Sequence, residues 1–132
     1  MKEIQVLIVD EHLAVRRALA ARLNSFPQIS VVATANSFRK GVELTIELRP
    51  DVVLLELKGG SGTTWRDPVG DMREALAGHP AGIIVLTSYA DEAEREAALQ
   101  AGANRYLLKR IDSLSLLREI EAVAGEVSEQ TS

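Results

Sequence analysis

The chain contains no cysteine, which excludes a disulfide framework, a zinc–thiolate centre and a cysteine nucleophile. It also lacks any excess of positive charge. Fifteen Lys and Arg face 19 Asp and Glu, a formal net charge of −4 and a pI near 5.2. A whole-surface nucleic-acid binder needs clustered cations to neutralise phosphates, so direct nucleic-acid binding is not expected. No apolar run approaches the roughly 20 residues that span a bilayer, so no membrane partner is expected. Met1-Lys2-Glu3 leads straight into a strand-like segment, without the basic and long apolar regions of a signal peptide. What the 132 residues do contain is 46% hydrophobic residues, enough for one buried core and too many for a disordered segment. The expectation is one soluble, cytoplasmic domain.

Five short apolar runs recur, each followed by a segment with helical spacing. Residues 4–9 are branched and of strand length, as in a sheet buried on both faces. Residues 13–23 then repeat apolar positions at Val15, Ala18, Leu19 and Leu23, the stripe of an amphipathic helix. Residues 29–35 predict a second strand, and Ser37 an N-cap for a helix with Phe38, Val42 and Ile46 on one face. Pro50 closes that helix, and residues 51–57 form the third and most hydrophobic strand. Residues 58–70 concentrate Gly59, Gly60, Gly62, Gly70, Ser61 and Pro68, the composition of a loop. A short helix is expected from Val69 or Asp71 to Leu76, and a fourth strand over 82–87. Asp91 with Glu94 predicts a capping box, and Gly102 a helix stop. A fifth strand over 106–108 precedes a last helix capped by Asp112 or Ser113, with Leu114, Leu117, Ile120 and Ala124 inward. The polar stretch 126–132 is expected to fray as a tail beyond a domain spanning 1–125.

Five alternations of strand and helix imply an α/β fold, a parallel sheet with helices on both faces. In such a sheet the carboxyl ends of the strands share one edge, where ligands bind. Here the runs end in Asp10 and Glu11, in Glu56, in Thr87 and Ser88, and in Lys109. Three carboxylates, a hydroxyl and an ammonium would converge there. Crowded carboxylates recruit a cation or raise a pKa, and one to three of them with water positions suit Mg²⁺. A hydroxyl and a lysine opposite suit phosphoryl oxygens. Taken singly, each has a plainer role: Asp10 and Glu11 can charge a helix N-terminus, Thr87 can bond backbone, Lys109 can be a solvated charge and Tyr106 a half-buried aromatic. His12 and His79 are placed in surface turns, without a metal-ligand partner at helical or finger spacing. The GGSGTT at 59–64 lacks the lysine of a phosphate-cradling loop. Trp65 is the sole tryptophan, suited to anchoring its loop or meeting a partner.

The combination VLIVDEH at 6–12, RPDVVLLE at 49–56, IIVLTS at 83–88 and AGANRYLLK at 101–109 resembles the receiver domain of two-component response regulators, from Ile4 to about Gly125. The resemblance implies a CheY-like, flavodoxin-like sheet of order 2-1-3-4-5 with five helices. It implies that Asp10 and Glu11, with Glu56, form a metal site for Mg²⁺, that Thr87 and Lys109 bind a phosphoryl group, and that Thr87 and Tyr106 form a switch. It further implies a histidine kinase, an output domain or partner protein of a two-component pathway, and a possible homodimer formed near the fourth and fifth strands. The first half is most similar to receivers carrying a helix-turn-helix output domain.

The chain departs from the pattern in four places. Glu56 stands where the family has its phosphoacceptor Asp, Lys58-Gly59-Gly60 replaces a Met-Pro-Gly turn, Arg110 replaces a proline, and residues 58–70 are about eight residues longer than usual. A carboxylate displaced by one methylene, roughly 1 Å, can lose about 10²-fold in a positioned reaction. The expectation is therefore an atypical, non-enzymatic receiver that is phosphorylation-independent or constitutively biased. The alternatives are a phosphorylation-competent, Mg²⁺-dependent receiver and a small-ligand module walled by residues 58–70.

Overall fold

The computed structural model describes residues 2–56 and 66–131. Ten elements alternate along the chain: β1 (Ile4–Val9), α1 (Leu13–Asn24), β2 (Ile29–Ala35), α2 (Phe38–Leu48), β3 (Val52–Leu55), α3 (Arg66–Ala75), β4 (Gly82–Thr87), α4 (Glu92–Ala101), β5 (Arg105–Leu108) and α5 (Ser113–Thr131). All strand pairs are parallel and the order is β2-β1-β3-β4-β5, the CheY-like doubly wound sheet that the alternation and the resemblance imply.

Period-two alternation splits the core into two halves. Val6, Ile8, Val52, Leu54, Ile84 and Leu86 point to one face, where α1 and α5 cover them with Leu19, Leu23, Leu116, Leu117, Ile120 and Val123. Leu7, Val9, Val53, Leu55, Ile83 and Val85 point to the other, under α2, α3 and α4. Because both faces are covered, the strands read as continuous apolar runs. Close approach needs glycine at one strand start: a side chain at Gly82 would run into Val123.

Several boundaries shift for physical reasons. Residues 66–70, expected as loop, form the first half of α3, so the helix starts before Val69. Pro68 sits in the first turn, where a backbone N–H has no intrahelical partner to lose. Residues 58–65, with the glycine-rich stretch and Trp65, lie outside the described residues, as does Leu57. The expected tail is helical as far as Thr131, tied by buried Val127 and by Glu126, which pairs with Arg105. Leu114 is 50% exposed rather than inward, because α5 turns Leu116 and Val123 to the sheet instead. Ala18 is exposed too, leaving Leu19 and Leu23 to anchor α1. Ser37 caps α2 as expected, accepting from the Lys40 N–H at 3.1 Å, and Arg49 in the left-handed region ends it before Pro50.

Candidate functional site

Asp10, Glu56 and Lys109 each stand one residue beyond a strand end, and the backbone ladder continues through them. The Asp10 N–H donates to Ala35 O at 3.0 Å, that of Glu56 to Val9 O at 2.9 Å, and that of Lys109 to Thr87 O at 2.8 Å. These bonds set the three side chains on the edge where the strand order reverses between β1 and β3. There they meet. Lys109 Nζ lies 3.0 Å from Asp10 Oδ2 and also contacts the Glu56 carboxylate. The side chains are 19%, 3% and 12% exposed for Lys109, Asp10 and Glu56, so the cluster is largely shielded from water. Shielding strengthens each attraction and makes each charge expensive to leave alone.

Asp10 is also held from its other side. Its Oδ1 accepts the His12 N–H at 2.8 Å, and His12 Nδ1 is 3.3 Å from the same oxygen. The Arg16 guanidinium donates to the Asp10 carbonyl at 2.8 Å. The sequence alone predicts His12 in a surface turn without a metal-ligand partner. The structure instead places it at the N-cap of α1, where ligand atoms of Asp10, His12 and Glu56 all lie within 4.8 Å of one another. The signal is local: an aspartate two residues before a helix N-cap folds its carboxylate back onto the N-cap N–H. Glu11 is exposed and lies outside that group.

The donor set fits a divalent cation. Two carboxylates with added water suit Mg²⁺, and the imidazole adds a nitrogen donor that hard cations use little. Lys109 already bonds both carboxylates, so an ion entering this hollow competes with the ammonium.

Thr87 and Tyr106 face a different neighbour. Thr87 is buried, its hydroxyl donating to Tyr89 O at 3.1 Å and accepting the Tyr89 N–H at 3.3 Å. Its hydroxyl also acts on the Tyr106 phenol, opposing a rise in that group's pKa. That phenol donates to Glu94 Oε2 at 3.1 Å and accepts the Asp91 N–H at 3.3 Å. Burial pushes its pKa above the ordinary value, the Asp91 bond opposes this, and Glu94 adds to the rise. The expected capping box is therefore half formed. Asp91 accepts the Glu94 N–H at 3.0 Å, but the return bond from Glu94 goes to Tyr106, which itself takes the Asp91 N–H. Tyr106, Leu107 and Leu108 line a groove of about 930 Å³ that reaches Asp91, Arg95 and Ile111. His79 stays at its turn, its Nε2 3.0 Å from Pro50 O.

The family model for the response regulator receiver domain matches residues 6–121. The chain is 37% identical to the transcriptional regulatory protein LiaR of Bacillus subtilis, over 92% of this chain and 56% of that protein. It is 32% identical to the nitrate/nitrite response regulator protein NarL of Escherichia coli K12, again over 92% and 56%. The chain thus spans about half the length of these curated relatives. The signal receiver domain of the putative response regulator NarL from Mycobacterium tuberculosis superimposes with a TM-score of 0.83 at 22% identity, covering 95% of this chain and 98% of that one, which supports the fold. Among the described residues no helix is long and apolar enough to cross a membrane.

Proposed function

The chain belongs to the response regulator receiver family, and we propose that it is an atypical member whose state is set by the clamp of Lys109 on Glu56 and Asp10 rather than by phosphorylation. The contact between Lys109 and Glu56 carries this reading. In a phosphorylated receiver the lysine bonds a phosphoryl oxygen, and here the carboxylate at the acceptor position takes that bond itself. The extra methylene of Glu56 misplaces a nucleophile by roughly 1 Å, enough for about a 10²-fold loss. One carboxylate carries less charge and fewer acceptor oxygens than an aspartyl phosphate, so its mimicry of the phosphorylated state is partial.

Signalling then runs through the opposite end of the cluster. Lys109 follows β5, Tyr106 lies within it, and the Tyr106 hydroxyl ties β5 to the first turn of α4. Thr87 and Tyr106 form the proposed switch pair, and the groove beside Tyr106 is the proposed contact for an output domain, a partner protein or a second copy. The relatives named as transcriptional regulators favour an output domain joined to a receiver unit over residues 1–125, with the remainder of α5 leading out of it. The proposed setting is a cytoplasmic two-component pathway, with a histidine kinase as a partner by docking. Asp10 and Glu56 would hold Mg²⁺ weakly, since Lys109 competes, with Glu11 able to reach the ion through water.

The test is incubation with acetyl phosphate and Mg²⁺, read by intact mass, for the unaltered chain and for Glu56→Asp. The expected result is no stoichiometric phosphate on the unaltered chain and one phosphate on the variant. Stoichiometric phosphate on the unaltered chain would overturn the proposal.

A further inference from the structure

The stripe of α2 does not end where the core ends. Phe38 and Val42 pack half-buried against the core, but Ile46, next along the same face, is 58% exposed. Together with Ala75 of α3 these side chains line a groove of about 630 Å³ between the two helices. Its rim is acidic. Glu43, Asp71 and Glu74 border it; Arg39 and Lys40 lie 3.9 and 3.8 Å from Glu43, which leaves the acidic side of the rim to Asp71 and Glu74 on α3. Among the described residues neither Asp71 nor Glu74 has an ion-pair partner. Uncovered apolar surface rimmed by polar residues marks interaction sites on soluble proteins.

We propose that the α2–α3 groove docks a basic amphipathic helix of a partner protein. An apolar floor between two helices matches the leucine or isoleucine stripe of a third helix, read at i, i+4 and i+7. The excess of carboxylates at the rim selects lysine and arginine on the flanks of that stripe and disfavours an acidic partner. The site lies away from the Lys109 cluster and from the groove beside Tyr106, sharing none of their lining residues. A partner seated here would therefore leave both open.

The probe is a synthetic helical peptide of leucine and lysine, with leucines at i, i+4, i+7 and i+11, added to the full chain labelled with ¹⁵N. Chemical-shift changes are expected at Phe38, Val42, Ile46, Asp71 and Ala75. Ile46→Asp, Asp71→Lys and Glu74→Lys should each weaken binding on the order of tenfold, while Glu121→Lys on α5, with the same change in net charge as the two lysine variants, should not. Ile46 is exposed enough for its variant to fold, which urea denaturation checks. Shifts centred elsewhere, or equal weakening by Glu121→Lys, would show binding by net charge alone and overturn the proposal. Self-association of the chain that sedimentation velocity detects and Ile46→Asp abolishes would overturn it as well, by assigning the groove to a second copy.

Discussion

Replacing Lys109 with methionine keeps the aliphatic stem and removes the charge. Two carboxylates are then left at the strand edge without the cation that bonds both. Breaking one partner out of a buried pair costs about 3–5 kcal/mol, whereas exposed pairs contribute about 0–1 kcal/mol. Discounted for the 19% of Lys109 that water still reaches, the expected loss is about 2–4 kcal/mol. That is a large part of the roughly 5–15 kcal/mol typical of a domain. Urea denaturation followed by circular dichroism measures it, with the m-value unchanged. Glu56→Gln in the Lys109→Met background should recover part of the loss, because it removes one of the stranded charges. The vacated hollow should also bind divalent cations better, so Mg²⁺ should stabilise the variant by about 2.7 kcal/mol at 100 times its Kd and the unaltered chain by less at the same concentration. A loss under about 1 kcal/mol, with no added response to Mg²⁺, would refute the reasoning, since it would put the three groups in the regime of exposed pairs.

Tyr106→Phe removes the hydroxyl shared by Asp91 and Glu94, and should cost about 0.5–1.5 kcal/mol in urea denaturation while speeding amide exchange in the first turn of α4. Gly82→Ala should destabilise by about 1–3 kcal/mol because the new methyl meets Val123, and Val123→Ala in the same chain should cost less than the two changes summed. At acid pH, the Arg105 bond holds Glu126 below its ordinary 4.5, and the Ser115 N–H holds Asp112 below its ordinary 3.8. Lowered folded-state values mean stability present above those ordinary values and lost as pH falls through the depressed ones. Glu126→Gln should flatten the fall in stability below about pH 4.5 and Asp112→Asn that below about pH 3.8, and unchanged slopes would contradict the assignment.

The sheet was legible in the sequence because burial on both faces makes each strand a run of branched residues with no polar interruption. The edge was legible for the same reason: Asp10, Glu56 and Lys109 stand out as the first polar residues after such runs, and the structure brings all three together. What local pattern could not supply was direction within the edge. The Thr87 hydroxyl stands at its strand end as expected but bonds the Tyr89 backbone, a choice made by the β4–α4 turn. His12 carries no metal-ligand spacing along a helix; the turn at Asp10 brings it to the cluster instead. Glu94 has the spacing of a capping box, yet its carboxylate serves a tyrosine 12 residues on, which only the β5–α4 packing reveals. Leu114 and Ile46 fit apolar periodicities and remain exposed, since a stripe longer than the sheet beneath it overhangs.

The direct measurement is the side-chain ¹⁵Nζ–¹H spectrum of Lys109, recorded with Mg²⁺ before and after adding acetyl phosphate. The expected result is an ammonium signal protected from exchange, lost in Glu56→Ala and unmoved by acetyl phosphate, with Tyr106 and α4 equally unmoved. An ammonium in free exchange, or shifts spreading through β5 and α4 on adding acetyl phosphate, would contradict it.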